Sequence, residues 1–192
     1  MMPARVYLAG PDVFFPDAAA ALARKKEICI RYGMEGLSPF DNEVQSDPFD
    51  SRVAPRTIYA GNVRQMDSAD AVIANLTPFR GVSADTGTAF ELGYCAARGL
   101  PLFGYSEDSR SYAERVRRSF DLPPAAAVDG QGMAIEDFGH SENLMLIEAI
   151  LASGGRFIDG PAGGGAGDDL GAFEACAEAL AALLGSERRR AI

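Results

Sequence analysis

AVIANLTPFRGVSADTGTAFELGYCAARG, residues 71–99, is the stretch from which the fold is read. Its first six residues, AVIANL, form a nearly continuous apolar run. Such a run is expected of a central parallel strand covered on both faces. Thr77-Pro78 breaks it, and a turn cluster follows (Gly81, Ser83, Asp85, Gly87). An apolar helical pattern then continues until Gly99 closes it. Ala89, Phe90, Leu92, Gly93, Ala96 and Ala97 make most of this helix a buried one, yet Glu91 stands among them. A carboxylate in such surroundings costs several kcal/mol unless it is paired or used. Glu91 is therefore the first candidate for chemistry. Asp85 lies near the helix start, and at ~1.5 Å rise per residue the two backbones are about 9 Å apart. Both side chains can reach one small molecule.

Working outward, residues 5–9 (RVYLA) read as a strand, and Gly10-Pro11 as a turn. A helix is expected over 18–30, a short strand over 35–38, and a helix over 55–68. The intervening segment 39–55 has turn formers and little periodicity, which marks a functional or mobile loop. Beyond Gly99 come a strand at 101–105 and a charged, exposed helix at 111–120. A short fifth strand is expected at 133–138 and a helix at 143–152. Residues 154–168 are glycine-rich and read as a mobile linker. A helix over 170–184 and a basic tail complete the chain. Domain limits follow: an α/β body over 1–153, the linker, and a C-terminal helix and tail over 169–192. Alternating strands and helices imply a doubly wound sheet. Ligands of such sheets bind beyond the carboxyl ends of the strands.

Composition narrows the function. The 192 residues are 47% hydrophobic and 23% charged, as in an ordinary globular domain. A net charge of −9 argues against a nucleic-acid polymer or an anionic membrane as partner. No run of 18 apolar residues offers a membrane span. The opening MMPARVYLAG reads as a strand and not as a secretory signal. Three scattered cysteines out of metal spacing predict a reducing, cytoplasmic location. One histidine, His140, makes a histidine triad or a multi-histidine metal site a poor reading.

The expected strand-end rim collects Tyr7, Asp12, Phe14, Phe15, Asn62, Asp70, Phe79, Arg80, Asp85 and Glu91, with Gly10 and Gly87 in its turns. Carboxylates, with no serine or cysteine that has an evident histidine partner, suit glycosidic chemistry. In a retaining route one carboxylate attacks the anomeric carbon and forms a glycosyl ester. Aromatic rings beside it would stack on a flat leaving group such as a nucleobase.

YLAGPDVF (7–14), DAVIANLTPFRG (70–81), DTGTAFELGY (85–94) and NLM (143–145) resemble the nucleoside 2-deoxyribosyltransferases, in the order that family shows. The resemblance spans roughly residues 5–150. It implies a flavodoxin-like sheet of five parallel strands with an extra C-terminal helix. It implies base exchange on 2′-deoxynucleosides and free nucleobases, in nucleotide salvage, without a cofactor or metal. Glu91 matches the family nucleophile, Tyr7 a tyrosine that orients it, and Asp85 a substrate contact. Phe14 matches a base-pocket aromatic, and Glu43 falls where a base-reading side chain can stand. Asn143 and Met145 match residues that enter a neighbouring subunit's site, which implies a homo-oligomer with composite sites. Asn62 is a departure: some members carry there an aspartate proposed to protonate the base, which an amide cannot do. The family reading also predicts poor turnover of ribonucleosides.

Plainer roles stand beside these. Glu91 could pair with Arg64 or Arg98, Asp85 could serve only as an N-cap, and Asn143 likewise. Arg80 could bind an anion or pair with Asp85. Two other functions compete: an N-glycosidase with water as acceptor, and a silent nucleoside-binding module. Asp12 would repel the phosphate of a nucleotide substrate.

Overall fold

The computed structural model describes residues 2–41, 55–160 and 170–190, with side chains to 186. At its centre is β3 (Ala71–Asn75), every residue of it buried. It pairs in parallel with β1 (Ala4–Ala9) on one side and β4 (Leu102–Ser106) on the other. The outer strands are β2 (Met34–Leu37) and β5 (Phe157–Asp159), giving the order β2-β1-β3-β4-β5. This is the flavodoxin-like doubly wound order. From β1 the chain passes to β2 on one flank, and then returns to β3 on the other. The carboxyl ends of β1 and β3 are thus the switch point, where a crevice forms.

Side-chain alternation divides the core into two layers. Val6, Leu8, Ile73, Phe103 and Tyr105 face α1 (Ala18–Arg31) and α6 (Gly171–Arg190). Tyr7, Ala9, Val72, Ala74 and Leu102 face α2 (Pro55–Ser68), α3 (Thr86–Ala97) and α5 (Leu144–Ala152). By this parity Tyr7 is turned toward the helix that carries Glu91.

Two expectations need correction. Residues 133–138 are not a strand of the sheet. Only an isolated antiparallel bridge, Val128 to Ala134, forms there. Glu136 instead accepts from the Leu144 amide, at 2.6 Å, at the start of α5. The fifth strand is Phe157–Asp159, inside the segment read as a linker. Its three residues among glycines gave no periodicity to detect. Residues 161–168 of that segment lie outside the described residues.

Helix α6 packs on the sheet. Ala172, Phe173, Cys176, Ala177 and Leu180 are buried against the sheet, and Phe173 meets the Tyr105 ring edge-on at 6.0 Å. Its helical path runs on to Arg190, through residues read as a tail.

Candidate active site

The Tyr7 hydroxyl donates to Glu91 Oε1 at 2.6 Å. Each residue comes to this contact from its own element, Tyr7 from the middle of β1 and Glu91 from the middle of α3. Tyr7 is fully buried, while Glu91 is half-buried and keeps some access to solvent. Burial pushes the Glu91 carboxyl from its ordinary 4.5 up to about 7. The Tyr7 hydrogen bond works against that rise, and the charge of Asp85 adds to it. Tyr7 itself is held far above its usual value by burial and by the neighbouring Glu91 charge, so it stays a donor. The two arginines that could have neutralised Glu91 lie elsewhere. Arg98 donates to the Met66 and Asp67 carbonyls at the end of α2, and Arg64 lines a groove along β2. That groove, of about 1180 Å³, contains none of the predicted site residues.

Asp85 caps α3. Its Oδ2 accepts from the Thr88 amide at 3.0 Å and from the Thr88 hydroxyl at 3.3 Å. Aspartate is among the preferred N-caps. A Cβ at Gly87 would lie 2.9 Å from that same oxygen, so glycine there lets the carboxylate fold back over the turn. Capping leaves Asp85 near enough for its charge to act on Glu91.

The loop after β1 is a 3-10 turn, Pro11–Phe14. Asp12 does not sit there as an exposed acid. It forms a buried ion pair with Lys25 of α1 at 2.5 Å, both side chains less than a tenth exposed. Lys25 also lies 5.5 Å from the Tyr105 and Phe173 ring centres. The acid is thus used by the fold, and its charge is offset before it could repel a phosphate. A Cβ on Gly10 would come within 2.4 Å of Asp12 Oδ2 and 2.9 Å of the Asn75 Cβ. Only glycine admits that approach between the ends of β1 and β3.

Phe14 and Phe79 stack across the switch point with ring centres 5.3 Å apart and planes at 21°. The Arg80 guanidinium lies over both, 5.0 Å from Phe14 and 4.7 Å from Phe79. Cation–π contacts of this kind contribute ~0.5–1 kcal/mol when exposed. They place Arg80 on the rings, while Asp85 is turned to α3. The Arg80 backbone takes φ 54°, an uncommon left-handed value for a non-glycine residue.

Asn62 is half-buried on α2. Asn143 caps α5, accepting from the Met145 amide at 3.0 Å and donating to Glu136 at 3.0 Å. Met145 is 69% exposed. Glu43 lies outside the described residues. Among those described, no group of His, Cys, Asp or Glu is placed to hold a metal ion, and no helix is long and apolar enough to cross a membrane.

Sequence reasoning missed a second buried acid beside the site. Glu142 is wholly enclosed and ion-paired with Arg115 of α4 (Tyr112–Ser119) at 3.0 Å. It also accepts from Ser83 Oγ and from the Ala84 amide. The helix read as exposed thus buries one of its arginines. Nothing in the spacing of residues 83, 115 and 142 announces this meeting.

The fold is thus a flavodoxin-like α/β sheet, with a half-buried carboxyl of α3 held by a tyrosine of β1. The sequence model of the family described as nucleoside 2-deoxyribosyltransferase matches residues 6–145. The chain belongs to that family. It is 36% identical over 165 residues to an uncharacterized protein of Schizosaccharomyces pombe, the match covering 78% of each chain. Among solved structures it resembles a 2-desoxiribosyltransferase from Leishmania mexicana, with 32% identity and a TM-score of 0.59. That match covers 78% of this chain and 95% of the other. A conserved protein from Enterococcus faecalis shares the fold at 19% identity, with a TM-score of 0.56 and coverage of 82% and 91%.

Proposed function

We propose that the protein is a nucleoside 2-deoxyribosyltransferase working in nucleotide salvage through a covalent deoxyribosyl-glutamate. The observation that carries this reading is the Tyr7–Glu91 pair: a carboxyl drawn out of water and oriented, among the described residues, by one neutral donor. A Glu91 oxygen attacks the anomeric carbon of the sugar as the glycosidic C–N bond breaks. The departing base keeps the bond's electron pair and takes up a proton from solvent. A nitrogen of a second base then attacks the same carbon and loses its proton. The ester C–O bond breaks, and the Glu91 carboxylate is restored. Tyr7 steadies the carboxylate throughout, and Phe14 with Phe79 offers the flat base a stacking surface. A 2′-deoxy sugar lacks an electron-withdrawing hydroxyl, so its oxocarbenium-like transition state is within reach of carboxylate stabilisation. On this reading ribonucleosides turn over poorly.

The working form is proposed to be a homo-oligomer in which Asn143 and Met145 complete a neighbour's site. Phe120, Val128, Met133, Phe138 and Met145 support this, being large, apolar and exposed within one stretch of chain.

Hydrolysis is the second reading, and the Asp12–Lys25 pair favours keeping it, since it removes the repulsion of a nucleotide's phosphate. Incubation with deoxyinosine, with and without adenine, separates the two. Deoxyadenosine formed only with adenine supports transfer. Hypoxanthine released equally in both supports hydrolysis, and absence of turnover refutes both.

A further inference from the structure

Between Asn75 and Thr86 the chain crosses the rim without regular structure and then delivers Asp85 and α3. Consecutive residues of this crossing, 82 to 84, are gripped from outside. Arg115 Nε donates to the Val82 carbonyl at 2.7 Å. Ser83 donates its hydroxyl to Glu142 Oε1 at 2.5 Å, and the Ala84 amide donates to Glu142 Oε2 at 3.0 Å. Arg115 Nη2 closes the ion pair with Glu142, and Nη1 donates to the Arg110 carbonyl at 2.7 Å. The backbone amide of Asn143 is a fourth donor to Glu142.

Stability alone does not explain this choice of residues. A buried ion pair replaced by apolar side chains of equal volume often leaves a fold as stable or more so. What apolar packing lacks is direction. Charge-assisted hydrogen bonds are short and angle-dependent, and they fix backbone atoms in orientation as well as in place. The gripped residues end one position before Asp85, whose carboxylate caps the helix of Glu91.

We propose that Glu142, with Arg115, is a positioning residue for the reaction: it fixes residues 82–84, and through them the stance of Asp85 and Glu91. This rests on the glycosyl-transfer reading of the site, and its test separates the two claims. Ser83→Ala removes one donor from the crossing, Ser83→Thr restores a hydroxyl, and Glu142→Gln removes the charge. Each variant is measured for kcat and KM, for melting temperature, and for the titration midpoint of the Glu91 carboxyl by carbon-13 NMR. The midpoint needs no turnover.

Ser83→Ala is expected to lower kcat about tenfold, the weight of one hydrogen bond to a charged group, with KM little changed. Its Glu91 midpoint should fall from about 7 toward the ordinary 4.5 as the loosened crossing admits water. Ser83→Thr should recover both values. The proposal is overturned if Ser83→Ala and Glu142→Gln lower only the melting temperature, leaving kcat per folded molecule and the Glu91 midpoint at wild-type values. Should Glu142→Gln fail to fold, the Ser83 pair decides. If the wild-type protein turns over no deoxynucleoside, the functional reading fails while the midpoint still judges the positioning claim.

Discussion

Among the described residues Glu91 accepts its hydrogen bond from a neutral phenol, whereas Glu142 receives four donors, one of them a guanidinium. Both acids are drawn out of water. The half-buried one has its proton affinity raised toward neutrality by burial, and retains an approach from solvent. The fully enclosed one has its lone pairs occupied and a full positive charge against it. On the proposed reading, enclosure by itself does not make a carboxylate a nucleophile; a small number of partners does, provided one donor remains to aim it.

Removing the acid with few partners should have the largest effect on chemistry and the opposite effect on the fold. Glu91→Gln is expected to lower turnover by at least about 10³-fold, as loss of a covalent nucleophile does. The folded carboxyl binds its proton more tightly than the unfolded one, so between pH ~4.5 and ~7 the native state holds protons that the unfolded state has lost. Stability contributed by this group is thus intact below that window and falls as pH rises through it. The variant should be the more stable protein at pH 8, by up to about 3 kcal/mol, and equal to wild type at pH 4. Urea denaturation at the two pH values checks this.

Glu142→Gln should show the reverse on stability. It leaves Arg115 buried beside a neutral amide, and breaking a buried pair in this way costs about 3–5 kcal/mol. A loss that small surface substitutions could match would mean that water reaches the pair. Chemical denaturation of the two variants side by side, at one pH above 7, makes the opposition of sign a direct measurement.

That contrast was only half legible in the sequence. Glu91 announced itself because an acid within a buried helical pattern is anomalous, and a single helix contains the anomaly. Asp85 was legible for the same reason, as a cap at a helix start. Strand β3 could be read from its unbroken apolar run, and with it the parallel sheet. Glu142 could not be found, because its anomaly is created by Ser83 and Arg115, which come from distant parts of the chain. Asp12 was misread for the same cause: Lys25 reaches it from the next helix, and no local pattern reports that pairing. The fifth strand escaped because three residues are too few to show alternation.

Tyr7→Phe tests whether one donor is what keeps Glu91 serviceable. Its hydrogen bond lowers the Glu91 proton affinity, so its loss should raise it further. The acid limb of the rate profile, expected near pH 7 in wild type, should move to higher pH. Activity at pH 7 should fall about tenfold for each pH step that the limb moves, while activity well above the limb recovers in part. An unmoved limb would mean that Tyr7 is only a core residue.

Asp85→Asn is expected to have the smallest effect on the limb, and its sign is opposite to that of Tyr7→Phe. Asparagine is as good an N-cap as aspartate, so α3 should keep its start while losing the charge. The Asp85 charge raises the Glu91 proton affinity, and it ranks below both burial and the Tyr7 hydrogen bond among the causes. Its removal should therefore move the acid limb to lower pH, by less than Tyr7→Phe moves it upward. Any contact between Asp85 and the sugar would appear separately, as a rise in KM that is independent of pH. A limb that stayed in place, with KM raised, would leave Asp85 as a substrate ligand with no part in tuning Glu91. In that case the reactivity of Glu91 would be set by burial and by Tyr7 alone.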